Sequence, residues 1–351
     1  MPSRDRATSS AESHSDAPLD VTAVAEYLGS LGLTIEGPLV AQLIAGGRSN
    51  LTYVLRDATH SWVVRRPPLG HSAPSAHDMA REHRVTKALA GTGIPVAKAL
   101  GFCEDRSVIG APFSVVEFVK GRSVGSQEDL AVYSDHDVEL CFKGLVGTLA
   151  RLHAVDHVAV GLESYGRPDD YASRQIRTWS RQWDLTTNQP PGRAELLRDL
   201  LAMNSPLQER VSIVHGDYRI DNTLIDLDDP SRIAAVVDWE LSTIGDPIAD
   251  VALMAAYRHP AFNLIVGTQA AWTSSRLPSG DQIATAYEAS SGIVVDHWEF
   301  HLGLAYYKLA AMAQGIDYRF RTGATVGDGF DTAGDAVPDL IEAGIDAVRS
   351  I

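Results

Sequence analysis

The chain has 351 residues, and 45 Asp and Glu against 30 Lys and Arg give it a formal charge of −15. With 45% hydrophobic and 21% charged residues it has the balance of a folded globular protein, which excludes disordered and collagen-like classes. So acidic a chain lacks the clustered Lys and Arg that nucleic acid demands. Its longest apolar run, Val251 to Tyr257, is far short of the roughly 18 residues of a membrane span, so neither nucleic acid nor membrane is an expected partner.

In chain order, residues 1–19 form a Ser- and Ala-rich stretch without the apolar core of a secretory signal, and read as a disordered tail. Asp20 followed by Val24, Leu28 and Leu31 predicts a capped amphipathic helix. From Leu39 to Leu55 the pattern is strand, the glycine turn Gly46-Gly47-Arg48-Ser49-Asn50, then strand. Ser61 to Arg66 predicts a third strand, Asp78 to Leu89 a helix ended by Gly91, and Val96 to Phe102 and Phe113 to Val119 two further strands. After Lys120-Gly121 the pattern turns helical, over Val138 to His153, Tyr171 to Leu185, Ala194 to Met203 and Trp298 to Gln314. Between these helices, Thr223 to Ile225 and Ile233 to Val237 flank the turn-forming Asp228-Asp229-Pro230-Ser231 and predict a hairpin. Two cysteines, Cys103 and Cys141, lack metal-type spacing and suit a reducing compartment, so a cytoplasmic chain is expected. Nothing in the pattern speaks to oligomeric state.

The chemistry concentrates in His215-Gly216-Asp217-Tyr218-Arg219-Ile220-Asp221-Asn222 and in Asp238-Trp239-Glu240 at the end of the hairpin. Phosphoryl transfer needs a carboxylate to orient the acceptor hydroxyl and oxygen ligands for Mg²⁺ on the nucleotide phosphates. Asp217, Asn222 and Asp238 supply those groups. The spacing of Asp217 to Asn222 matches H-R-D-x-x-x-x-N with Gly216 in place of Arg, and Asp238 falls where the metal-binding Asp of D-F-G would be.

On these motifs the chain resembles the superfamily of aminoglycoside phosphotransferases and choline kinases. The stretches HGDYRIDN, VVDWELSTIGDPIADVA, GRPDDYASRQIRTWSRQW and VVRRPPLG resemble the branch of kinase-like domains associated with acyl-CoA dehydrogenases, from about Gly46 to Gly315. The resemblance implies an α+β, protein-kinase-like fold of two lobes. A small β-rich nucleotide-binding lobe would span 20–119, and a larger, mainly helical lobe with the catalytic loop, metal site and substrate pocket would span 120–351. It implies an ATP- and Mg²⁺-dependent enzyme that phosphorylates a hydroxyl of a small molecule. In that frame Asp217 is the base, and Asn222 and Asp238 are the Mg²⁺ ligands. Gly46, Gly47, Ser49 and Asn50 form the phosphate loop, where glycine lets backbone N–H groups approach. The strand lysine of kinases is replaced by Arg65, or alternatively Arg66, with Glu82 as its anchor. Glu117 and Val119 would bind adenine through their main chain.

Tyr171, Gln175, Trp179 and then Gln182 or Trp183 share one helix face and are candidates to line the substrate pocket, with Glu240 as a further candidate. The resemblance implies that Asp246 and Asp250 are structural braces, since an Asp at a helix start caps free N–H groups. His297 and His301 flank Glu299 as H-W-E-F-H rather than H-E-x-x-H, so packing histidines are expected. No Gly-x-Ser-x-Gly element supports a hydrolase. Asp221 stands where the branch would have a small Gly, adding negative charge that would tune Mg²⁺ affinity or repel an anionic acceptor. The expected acceptor is a hydroxyacyl compound, free or CoA-linked; the alternatives are an aminoglycoside or, in another class, a nucleotide-binding pseudokinase acting as an interaction module.

Overall fold

The computed structural model describes residues 19–44, 50–67, 79–187, 192–323 and 331–351. Two compact units divide the chain: Met1–His83 with Ala99–Phe118, and Arg84–Lys98 with Val119–Ile351. Among the described residues no helix is long and apolar enough to cross a membrane.

The first unit is built on an antiparallel sheet in the order β1-β2-β3-β5-β4, comprising β1 (Val40–Leu43), β2 (Leu51–Arg56), β3 (Ser61–Arg66), β4 (Ala99–Cys103) and β5 (Phe113–Glu117). Strand β3 shows why the pattern was readable: Trp62, Val64 and Arg66 are buried, while Ser61, Val63 and Arg65 alternate with them on the other face. The buried face meets Val24 and Leu28 of the Val21–Ser30 helix, together with Tyr53, Leu55, Phe113 and Val115. That helix starts where expected, because the Asp20 carboxylate accepts from the N–H groups of Thr22 (3.1 Å) and Ala23 (3.0 Å). Such a cap contributes about 1 kcal/mol. Two strand bounds differ from expectation by two residues or more. Strand β4 begins at Ala99 rather than Val96, since residues 96–98 belong to the second unit, where the Pro95 carbonyl accepts from Val236 N–H at 2.8 Å. Strand β5 ends at Glu117, two residues before Val119.

The second unit is mainly helical. The Asp135–His153 helix is started by a capping box, in which the Ser134 hydroxyl and the Asp137 carboxylate bond each other's backbone N–H. Tyr171–Thr186 and Arg193–Met203 follow the expected bounds closely, whereas Trp298–Arg321 runs well past Gln314 because buried Ala313, Gly315 and Asp317 continue its packed face. Of the Pro247–Ala256 helix only the start, at Asp246-Pro247, was anticipated, not the extent. It is buried on almost every side, so it carries no polar stripe to reveal a helical period. Two small antiparallel pairs complete the unit: β6 (Ser212–Val214) with β9 (Thr243–Gly245), and β7 (Thr223–Ile225) with β8 (Ile233–Val236). The second is the expected hairpin, its turn closed by Asp229, which accepts from the N–H (2.9 Å) and hydroxyl (2.6 Å) of Ser231.

Candidate active site

Strand β6 delivers the chain into His215-Gly216-Asp217, and Gly216 makes the turn. Its φ is +81°, and a Cβ there would lie 2.4 Å from the Leu241 carbonyl oxygen, so only glycine fits. The turn's N–H groups are not left to water: Asp250 accepts from His215 N–H at 2.6 Å and from Gly216 N–H at 2.7 Å. His153 Nε2 approaches the same carboxylate at 3.2 Å, and Tyr287 meets His153 Nδ1 at 2.7 Å. Burial opposes the charge on Asp250, but His153, His215 and the Gly216 amide outweigh it and hold the carboxyl below its ordinary range. Asp246 caps its helix as expected, through Ile248 N–H, whereas Asp250 braces the His215-Gly216-Asp217 loop rather than a helix start.

His215 ties this loop to the hairpin. Its Nε2 donates to the Val237 carbonyl (3.0 Å), and its Nδ1 accepts from Asp217 N–H (3.2 Å), which defines a neutral imidazole. Complete burial pushes its pKa down and agrees with that tautomer. Val237 N–H in turn donates to the Asn222 carbonyl at 3.0 Å. These bonds tie Asp217 and Asn222 to Val237, the residue before Asp238.

Around Asp217, the Tyr257 hydroxyl donates to Oδ1, Arg219 Nε donates to the same oxygen at 3.1 Å, and Asn222 Nδ2 donates to Oδ2 at 2.8 Å. Burial works against the carboxylate; Arg219, Tyr257 and Lys308 overcome it and keep the Asp217 pKa below the usual range. Asn222 also gives its amide N–H₂ to the Asp217 carbonyl at 2.8 Å, so the amide oxygen is the atom it can offer a cation. Asp238 sits in the left-handed region at φ +65°, opening the short 3-10 turn Trp239–Leu241. Trp239 pins that turn by donating Nε1–H to the Val236 carbonyl at 3.1 Å. An amide oxygen and a carboxylate are the hard donors Mg²⁺ prefers, so the residues present fit the ion. Glu240 lies half-buried on the same turn. Asp221 differs from expectation: its carboxylate is ion-paired with Arg219, so its charge is compensated rather than offered to a ligand.

Tyr171, Gln175 and Trp179 line a cavity of the second unit whose wall also includes Gly216. Trp179 Nε1 donates to Gln175 Oε1 at 3.0 Å, and Tyr171 packs so closely on Gly245 that a Cβ there would lie 2.4 Å from its ring. Gln182 and Trp183 do not share this lining; Gln182 lies against Gly315. Lys308 does, and its ammonium donates to the Gly216 carbonyl and stands 5.4 Å from the Trp179 ring centre.

In the first unit, Arg65 Nη1 donates to both carboxylate oxygens of Glu82, at 2.9 and 3.0 Å. Arg66 points to the opposite sheet face, where it donates to the Tyr53 hydroxyl at 3.2 Å. Of the two arginines, Arg65 is therefore the one paired with the helix acid. Asn50 is buried; Gly46, Gly47 and Ser49 lie outside the described residues. Glu117 ends β5 opposite Trp62, and Val119 is the first residue of the second unit's main segment.

The sequence reading missed Tyr257, Lys308, His153 and the bridging role of His215. Tyr257 and Lys308 lie 40 residues from Asp217 and 92 from Gly216, with no motif around them. For His215, the polar triplet itself was a signal, since a buried histidine beside a glycine turn is apt to satisfy backbone groups.

The family model described as the phosphotransferase enzyme family matches residues 40–282. The chain is 36% identical over 306 residues to acyl-CoA dehydrogenase family member 10 of Mus musculus, covering 86% of this chain and 28% of that protein. It is 32% identical over 326 residues to acyl-CoA dehydrogenase family member 11 of Homo sapiens, covering 91% and 41%. The chain thus spans less than half the length of these curated relatives. Among solved structures, a Ralstonia eutropha JMP134 protein provisionally assigned as an aminoglycoside phosphotransferase superposes with a TM-score of 0.80 at 32% identity, over 95% of this chain and 99% of that one. A thermostable aminoglycoside phosphotransferase mutant, in ternary complex with ADP and hygromycin B, gives a TM-score of 0.60 at 15% identity over 93% and 97%, a likeness of fold.

Proposed function

The chain belongs to the phosphotransferase enzyme family and has its two-lobed α+β kinase-like fold, and from that premise we propose that it transfers the γ-phosphoryl group of ATP to a hydroxyl of a small molecule. The observation that carries the reading is the hydrogen bond between Asn222 and Asp217, together with the placing of Asp238 beside them by Val237, whose carbonyl and N–H bond His215 and Asn222. A binding module has no need of a carboxylate held ionised beside a cation site.

In this reading Asp217 accepts a hydrogen bond from the acceptor hydroxyl and takes its proton as the new O–P bond forms and the bond from Pγ to the β-phosphate oxygen breaks, releasing ADP. Because its pKa is depressed, Asp217 is ionised at neutral pH and orients the hydroxyl more than it activates it. Asn222 and Asp238 would hold Mg²⁺, which neutralises charge on the phosphate oxygens. Arg65, held by Glu82, would contact the α- and β-phosphates, with Gly46, Gly47, Ser49 and Asn50 around them. The Glu117 carbonyl and Val119 N–H would take the adenine edge. Catalysis comes chiefly from positioning and charge neutralisation.

The acceptor we favour is a hydroxyacyl compound, free or CoA-linked, since the curated relatives carry acyl-CoA names. The reading is tested by incubating the protein with MgATP labelled at the γ-phosphate and separate pools of hydroxy acids with hydroxyacyl-CoAs, aminoglycosides and amino alcohols. Label is expected in the hydroxyacyl pool. MgATP binding with no pool labelled would favour a pseudokinase.

A further inference from the structure

Asp217 has two carboxylate oxygens, and the side chains around it do not treat them alike. Oδ1 accepts from the Tyr257 hydroxyl and from Arg219 Nε at 3.1 Å, two donors for the two lone pairs that such an oxygen directs into the carboxylate plane. Oδ2 accepts from Asn222 Nδ2 at 2.8 Å, and its second neighbour, Arg219 Nη2, stands at 3.5 Å, beyond the ordinary length of such a bond. The Asp217 side chain keeps 12% of its surface exposed, so the carboxylate is not sealed. One oxygen is thus filled, and the other keeps a lone pair on the side of Asn222.

Both donors to Oδ1 are themselves fixed. Tyr257 directly follows the Pro247–Ala256 helix and continues it, its N–H donating to the Leu253 carbonyl at 3.1 Å. Two turns separate it from Asp250 on the same face, so one helix gives the loop its brace and the carboxylate its donor. The Tyr257 ring is buried and packs on Phe262, with ring centres 4.7 Å apart. Burial and the adjacent Asp217 push the phenol pKa well above its ordinary value, so the hydroxyl stays a donor. The Arg219 guanidinium stands 5.2 Å from the ring centre of Tyr257 and 5.3 Å from that of Phe262. Its Nη1 donates to Asp221, a second carboxylate that fixes the plane of the fork.

We propose that Tyr257 and the Arg219–Asp221 pair are positioning residues for Asp217: by filling Oδ1 they leave Oδ2, the oxygen bonded to Asn222, as the atom to which the acceptor hydroxyl donates. The proposal rests on the phosphotransfer reading above. It gives Asp221 a task that its place in the sequence did not suggest, since its carboxylate acts on the base through Arg219. It also places the reacting oxygen of the base beside the side chain that offers its amide oxygen to the cation.

Steady-state kinetics of the full chain, with the acceptor pool that takes label from MgATP, test the proposal through Tyr257→Phe, which removes the hydroxyl and keeps the ring. Its kcat should fall about 10- to 100-fold, the scale of a misplaced reacting group, with KM for ATP held within about threefold. The decisive reading is the cycle with Asp217→Asn. Adding Tyr257→Phe to that variant should change kcat by less than about twofold, whereas a residue that only supports the fold would cost the same factor in both backgrounds. Asp221→Asn should lower kcat about two- to fivefold, and add almost nothing once Arg219→Gln is present, because it acts through the arginine. If Arg219→Gln does not fold, Arg219→Lys supplies the same comparison. An equal factor in the two Asp217 backgrounds, or a kcat that Tyr257→Phe leaves unmoved, overturns the proposal. Failure of the phosphotransfer reading shows separately. A wild type that labels no pool removes that reading, and crystal structures of the wild type and Tyr257→Phe then decide the rest: a turned or split Asp217 carboxylate in the variant supports the positioning role, and an unmoved one overturns it.

Discussion

Arg65 in the first unit and Asp217 in the second are both charged side chains held by hydrogen bonds, and they are held by different means. Arg65 pairs with Glu82 across one face of a sheet, with 19% of its side chain exposed. Asp217 is held by Tyr257, Arg219 and Asn222, on a loop braced by Asp250 and His153. An ion pair between two side chains places one charge, whereas a network of several donors makes the geometry of the site and the stability of the unit the same problem. Substitutions in the two regions should therefore separate ligand affinity from stability.

The largest effect is expected at the centre of the network. Asp217→Asn should lower kcat by about 10²- to 10⁴-fold, read in a coupled ADP-release assay, with a far smaller change in KM for ATP. Next comes the brace. Asp250→Asn removes the charge facing two loop amides and a histidine, and should cost about 3 kcal/mol or more in urea unfolding. This loss should depend on pH. The folded pKa of Asp250 lies below its unfolded value, so its contribution is fully present above about pH 4 to 5 and is lost as pH falls through the lower folded value. The acid limb of the stability curve should flatten in the variant. Gly216→Ala should destabilise by at least about 1–2 kcal/mol from its left-handed φ alone, with a further clash against Leu241 that lowers kcat as well. The smallest change is expected in the first unit: Arg65→Lys keeps the charge, loses the planar fork, and should raise KM for ATP by about three- to tenfold with little movement in Tm. If instead Arg65→Lys destabilised as much as Asp250→Asn, the contrast between pair and network would be wrong.

The same contrast explains what could be read from the sequence. Strand β3 was legible to the residue, because Trp62 and Val64 alternate with Ser61 and Val63, and that alternation also separates Arg65 from Arg66. The hairpin with its Asp-Asp-Pro-Ser turn and the Asp217-to-Asn222 spacing were legible because their partners are neighbours in the chain. The extent of the Pro247–Ala256 helix was not, since a segment buried on almost every side has no period to detect. Asp250 looked like a cap from its place near a helix start; its true partners are amides in another segment, which local pattern does not encode. Tyr257 and Lys308 were illegible as site residues for the same reason, each being placed by tertiary packing rather than by its neighbours in sequence.

The central claim is that Asp217 serves phosphoryl transfer to a hydroxyl. It is tested most directly by ³¹P NMR of the purified protein with MgATP and a single hydroxyacyl-CoA, in parallel with Asp217→Asn. The account expects a phosphomonoester signal to grow with ADP in the wild type and to be absent over the same time in the variant. A wild type that binds MgATP and forms no phosphomonoester, or a variant that forms it equally fast, would contradict it.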